Sequence, residues 1–117
     1  MSNFTIYHNP RCSKSRQTLA ILEKHNIQAE IVLYLENPPS KQELQTLLQQ
    51  LGKNPRDILR KVEEAYKSKG LADTALSDDD LLNAMIAEPK LIERPIVVSG
   101  TSAVLGRPPE NVLELIK

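Results

Sequence analysis

The sequence is poor in the features that mark the specialised classes of small protein. One cysteine, Cys12, stands in 117 residues, so no internal disulfide can form and a disulfide scaffold is excluded. With two histidines, His8 and His25, it makes a thin inventory for a metal centre, and no metal is expected. Tryptophan is absent and aromatic residues are 3%, which leaves little for base-stacking platforms or a membrane-interface belt. The 15 Lys and Arg balance 15 Asp and Glu, which argues against binding a nucleic acid or an anionic membrane through bulk charge. No apolar run approaches the roughly 18 residues of a membrane span. Met1 to Asn9 lacks the basic start and apolar stretch of a signal peptide. These absences leave a thiol-reducing, cytoplasmic setting as the expectation. No long apolar stripe asks for an oligomer, so a monomer is expected.

What is present reads as one domain over residues 1–117, a length that buries roughly two-thirds of the unfolded surface without staples. Asn3 to His8 alternates apolar and polar residues and stops at Asn9-Pro10, as a short strand does. Ser13 to His25 has no Gly or Pro and places Leu19 and Leu22 on one face of a helix. Gln28 to Leu35 is a β-branched and aliphatic run, expected to be an interior parallel strand covered on both faces. After Pro38-Pro39, Ser40 and Glu43 form a capping box ahead of Leu44, Leu47, Leu48 and Leu51, a helical face ended by Gly52.

Asn54-Pro55 opens a short helix carrying Ile58, Leu59 and Arg60, and Glu63 to Lys69 adds a turn or two. Ser77, followed by three aspartates, starts a helix that Pro89 closes. Pro95 to Ser99 and Ala103 to Leu105 flank Gly100-Thr101 as a hairpin. Pro108-Pro109 begins a terminal helix with Val112, Leu113 and Ile116 expected to be buried. The fold class is α/β: β-α-β, a helical insertion at about 40–90, then β-β-α on a four-stranded mixed sheet, the plan of a thioredoxin-like domain.

Chemistry concentrates in His8-Asn9-Pro10-Arg11-Cys12-Ser13-Lys14-Ser15-Arg16. Cys12 falls at a strand-to-helix turn, where unpaired N–H groups and the positive end of the helix dipole stabilise a thiolate. Arg11, Lys14 and Arg16 add positive potential nearby, and His8 contributes more if it is protonated. A lone cysteine is often a small buried hydrophobe. This one stands instead among Pro, Arg, Ser and Lys, which favours a reactive role. Ser15 makes the pattern Cys-x-x-Ser, so a covalent intermediate on Cys12 has no internal resolving thiol and needs an external one. The first arginine after Cys12 is Arg16, too close for the Cys-x5-Arg loop of a cysteine phosphatase. No Gly-rich nucleotide loop is present, and no bound cofactor is expected.

HNPRCSKSRQTL, ENPPS from Glu36, DILRK from Asp57, ERPIVV from Glu93 and GRPPENVLELI from Gly106 together resemble the glutathione- and glutaredoxin-dependent arsenate reductases, in colinear order over essentially the whole chain. The resemblance implies that the Cys12 thiolate attacks arsenate, that glutathione attacks the adduct as co-substrate, and that glutaredoxin clears the remaining glutathione. It assigns Arg60, Arg94 and Arg107 to oxyanion binding, and His8 and Ser15 to tuning or hydrogen-bonding the nucleophile. It also implies a cis bond between Arg94 and Pro95. Arg16 is a candidate contact to glutathione, Arg11 is expected at the surface, and His25 at a helix end caps or is solvated. Ser13-Lys14 stands where the best-known members carry Gly-Thr. Two other readings stay open: a monothiol reductase of glutathione mixed disulfides, and a regulatory protein-binding module, as in relatives that bind RNA polymerase and tend to carry Cys-x-x-Cys.

Overall fold

A computed structural model describes residues 4–116; Asn3, expected to open the first strand, lies outside them. The chain partitions into two compact units, one comprising the residues up to Asn37 together with those from Arg94 onward, the other Pro38–Glu93. The stretch expected as a helical insertion falls within the second unit.

The first unit is built on a four-stranded mixed sheet of order β2-β1-β3-β4. Its elements are β1 (Phe4–Tyr7), α1 (Ser13–Lys24), β2 (Glu30–Val32), β3 (Ile96–Ser99) and β4 (Ser102–Leu105), followed by a 3₁₀ helix over Pro109–Leu115. β1 runs parallel to β2 and antiparallel to β3, and β3 pairs antiparallel with β4. This is the thioredoxin-like arrangement that the element order implies. Ser99 pairs with Ser102, so Gly100-Thr101 is a two-residue turn, and Gly100 takes the positive φ of 61° that such turns demand. The core gathers Ile6 of β1, Val97 of β3, Leu22 of α1 and Val112 of the terminal helix, with Phe4, Leu19 and Val104 packed against it. At the end of α1 the His25 ring donates to the Ile21 carbonyl at 2.9 Å.

Two expectations are corrected here. β2 is an edge strand of three residues, with Ile31 48% exposed, not an interior strand covered on both faces. Beyond β2 the run enters a turn, in which Leu33 O accepts from the Glu36 and Asn37 N–H groups and Tyr34 is buried. A continuous apolar run reports burial, and a buried turn reads the same as a buried strand. The terminal segment is a 3₁₀ helix, whose three residues per turn put Pro109, Val112 and Leu115 on one face. Pro109 and Val112 are buried and Leu115 packs on the core. Leu113, expected inside on an α-helical count, is 43% exposed, and Ile116 is only half-buried.

In the second unit α2 (Lys41–Leu51) starts at Ser40, whose hydroxyl accepts the Glu43 N–H, and ends on Gly52 in the left-handed conformation at φ 68°. α3 spans Glu64–Ser68, and α4 (Asp78–Ala87) is closed at its start by a reciprocal pair in which the Ser77 and Asp80 side chains accept each other's backbone N–H. Short 3₁₀ turns cover Pro55–Ile58 and Pro89–Leu91. Leu44, Leu47, Leu48, Ile58, Leu81 and Met85 are buried. Leu59 and Ile92 form an antiparallel bridge, flanked by Arg60 N–H to Leu91 O at 2.7 Å and Glu93 N–H to Ile58 O at 2.8 Å. Among the described residues no helix is long and apolar enough to cross a membrane.

Candidate active site

The turn after β1 sets the candidate nucleophile, Cys12. Asn9 organises it twice, its carbonyl accepting the Cys12 N–H and its side-chain Oδ1 the Arg11 N–H, each at 3.0 Å. The chain then enters α1 with Cys12 as its N-cap, in extended backbone at φ −95° and ψ 123°. That places the thiol against the first-turn N–H groups, which the helix itself leaves without partners. Cys12 is buried, 8% exposed.

Burial pushes the Cys12 thiol up, yet the net effect is a pKa below the ordinary thiol value. The opposing causes are the Ser15 N–H, the Arg94 charge, the Lys14 N–H and the Arg107 side chain, in that order. Arg107 Nη1 lies 3.8 Å from Cys12 Sγ and also donates to the Arg94 carbonyl at 3.2 Å. Thus the guanidinium charges that favour the thiolate come from Arg94 and Arg107, far along the chain, and Lys14 acts through its backbone.

His8 and Ser15 meet directly, Nδ1 to Oγ at 2.6 Å, with both side chains buried. Burial first, and the Arg16 charge second, hold the His8 pKa below its ordinary value, so the ring is neutral at neutral pH and adds no positive charge beside the thiol. Ser15 Oγ already accepts the Asn9 N–H at 3.0 Å. With one proton and two acceptor lone pairs, the hydroxyl serves both partners at once. The hydroxyl ties the end of β1 to α1, while the Ser15 backbone N–H serves the sulfur.

Of the other candidates, Arg16 is exposed, with Nη1 donating to the Pro10 carbonyl at 2.9 Å. Arg11 and Ser13 are exposed and Lys14 is half-buried. The Arg94–Pro95 bond is cis, as is Arg107–Pro108, which the sequence reading did not anticipate. Arg60 belongs to the second unit, where it pairs with Glu63 and, through Nε at 3.6 Å, with Glu93. Sequence reasoning passed over Thr18 and Gly106, which pack against each other behind the site. The glycine directly before Arg107-Pro108 was the available signal for one of them.

Comparison with known proteins follows the same lines. Residues 7–115 match the model of the ArsC family. The chain is 52% identical over 112 residues to a protein of Escherichia coli K12 described as uncharacterized protein YfgD, covering 95% of this chain and 94% of that one. It is 46% identical over 117 residues to an arsenate reductase of Escherichia coli, covering 100% of this chain and 83% of the relative. A solved structure described as a putative arsenate reductase from Yersinia pestis superposes with a TM-score of 0.91 at 57% identity, covering 95% of this chain and 98% of that one.

Proposed function

Since the chain belongs to the ArsC family, we propose that it is an arsenate reductase, an oxidoreductase in which Cys12 is the nucleophile and external thiols complete the reaction. The observation that carries this reading is the convergence on Cys12 Sγ of the α1 N–H groups and the charges of Arg94 and Arg107. A thiolate attacking an arsenate dianion brings like charges together. Guanidinium forks beside the sulfur offset that repulsion in the transition state and hold the oxygens in line.

The Cys12 thiolate forms an S–As bond and one arsenate oxygen leaves as water after protonation. Glutathione forms a second As–S bond with loss of another water. Arsenic then takes the electron pair of one As–S bond while the two sulfurs join through the pair of the other, and one water adds back to arsenic, giving arsenite and a disulfide between Cys12 and glutathione. A glutaredoxin thiol attacks the glutathione sulfur and frees Cys12. Two thiols are oxidised for each arsenate reduced. Cys12 is the sole cysteine of the chain, so the last step requires an outside partner, and the setting that goes with this reading is a thiol-reducing, cytoplasmic one. Glutathione and glutaredoxin are the thiols that the family resemblance suggests, and Arg16, exposed at the start of α1, is the candidate glutathione contact. The part of Arg60 in arsenate binding rests on the same resemblance.

The test is arsenate-dependent NADPH oxidation with glutathione, glutaredoxin and glutathione reductase supplied. Wild-type protein should turn over and Cys12→Ser should not. A folded wild type that releases glutathione from a glutathionylated peptide but leaves arsenate untouched would assign the chain to thiol–disulfide exchange instead.

A further inference from the structure

The buried stripe of α1 runs Ser15, Thr18, Leu22. Ser15 has its partners in the site, and Thr18 is a second hydroxyl at 0% exposure one turn further in. A buried hydroxyl costs more than a methyl of the same shape unless it is hydrogen-bonded. Thr18 Oγ1 donates to Lys14 O at 2.8 Å and lies 3.4 Å from Gly106 O.

Gly106 is clamped from both sides. Its N–H donates to Pro95 O at 2.9 Å. A Cβ at this position would collide with Thr18 Oγ1 and would stand 2.7 Å from Pro95 Cγ. The approach therefore needs a glycine on one side and a small oxygen on the other. The residues adjoining this clamp are the two that charge the site: Arg107 follows Gly106 and Arg94 precedes Pro95. Arg107 Nη1 closes the ring onto Arg94 O and Cys12 Sγ. The other partner of Thr18, Lys14, supplies one of the N–H groups that lower the Cys12 pKa.

We propose that Thr18 is a positioning residue: through its contact with Gly106 it sets where the chain carrying Arg107 leaves β4, and so how closely that guanidinium approaches the Cys12 thiolate. Thr18 touches no reacting atom and acts through Arg107. The inference deepens the assignment of Cys12 as nucleophile and rests on it.

Thr18→Val keeps the shape but puts a methyl, larger than oxygen and without a proton to share, against Gly106. Alkylation of Cys12 by iodoacetamide, measured below the ordinary thiol range, should slow roughly twofold to fourfold as the thiolate fraction falls. Thr18→Ser, which restores the oxygen, should recover the rate. In an Arg107→Ala background Thr18→Val should cause no further slowing, because the group it positions is gone. Alkylation at the wild-type rate in Thr18→Val, the same loss with and without Arg107, or failure of Thr18→Ser to rescue would each overturn the positioning role. A wild-type Cys12 that alkylates as an ordinary thiol would overturn both that role and the nucleophile beneath it.

Discussion

Removing the Arg107 guanidinium isolates one contribution to the thiolate. Arg107 Nη1 stands 3.8 Å from Cys12 Sγ. Two unit charges at that separation interact by about 4 kcal/mol at an effective dielectric of 20 and about 1 kcal/mol in bulk water. Arg107 is exposed, so the screened end of that range applies. Arg107→Ala should therefore cost about 1 kcal/mol of thiolate stabilisation, or about a fivefold smaller thiolate fraction below the pKa. The assay is the rate of iodoacetamide alkylation across pH. With one cysteine in the chain, every alkylation event reports Cys12. The wild-type inflection should fall below the ordinary thiol range, and the Arg107→Ala curve should lie at higher pH. Because the pair is exposed on the arginine side, the gap should narrow in about 1 M salt, where the screening length is about 3 Å. Superimposable wild-type and Arg107→Ala curves would refute the electrostatic reasoning.

Leu22→Ala, emptying a fully buried site between α1 and the sheet, should lower stability by about 2–5 kcal/mol in urea unfolding. Ser15→Ala leaves the Asn9 N–H and His8 Nδ1 without the hydroxyl they share, and should cost about 1–3 kcal/mol by the same measurement. His8 titrates lower in the folded protein than its ordinary value, so the unfolded chain takes up the proton first. The stability it contributes is present above about 6.5 and is lost as pH falls through the folded value. His8→Gln should flatten the acid side of the stability profile. Cys12 is also lowered, so the native state should gain stability relative to Cys12→Ser as pH rises from the folded thiol value toward the ordinary one, read as the melting-temperature difference between the two proteins.

The elements set by short-range chemistry were legible in the sequence. Ser40 and Ser77 cap helices through neighbours three residues away, and Gly100-Thr101 turns the hairpin because a two-residue loop needs a residue of positive φ. That the Cys12 thiol is held below its ordinary pKa was legible for the same reason, since a strand-to-helix turn carries its own electrostatics. What the sequence misjudged depends on tertiary context. The run from Gln28 looked like an interior strand because burial of Tyr34 in a turn and burial in a sheet leave the same apolar signature. Leu113 was expected inside on a count of 3.6 residues per turn, whereas the proline-led terminal segment winds with three and turns it outward. His8 was allowed a charge that burial denies it. Arg11, Lys14 and Arg16 are neighbours of Cys12 in sequence, yet the guanidinium on its sulfur arrives from Arg107 through the fold. Thr18 carries no chemical signature until the chain brings it against Gly106.

Attack of Cys12 on arsenate is tested most directly by intact-mass spectrometry of the protein incubated with arsenate and glutathione in the absence of glutaredoxin. The wild-type chain should gain one glutathione at Cys12 only when arsenate is present, glutaredoxin should remove it, and Cys12→Ser should gain nothing. A folded wild-type protein whose mass is unchanged by arsenate would contradict the assignment of Cys12 as the arsenate-reducing nucleophile.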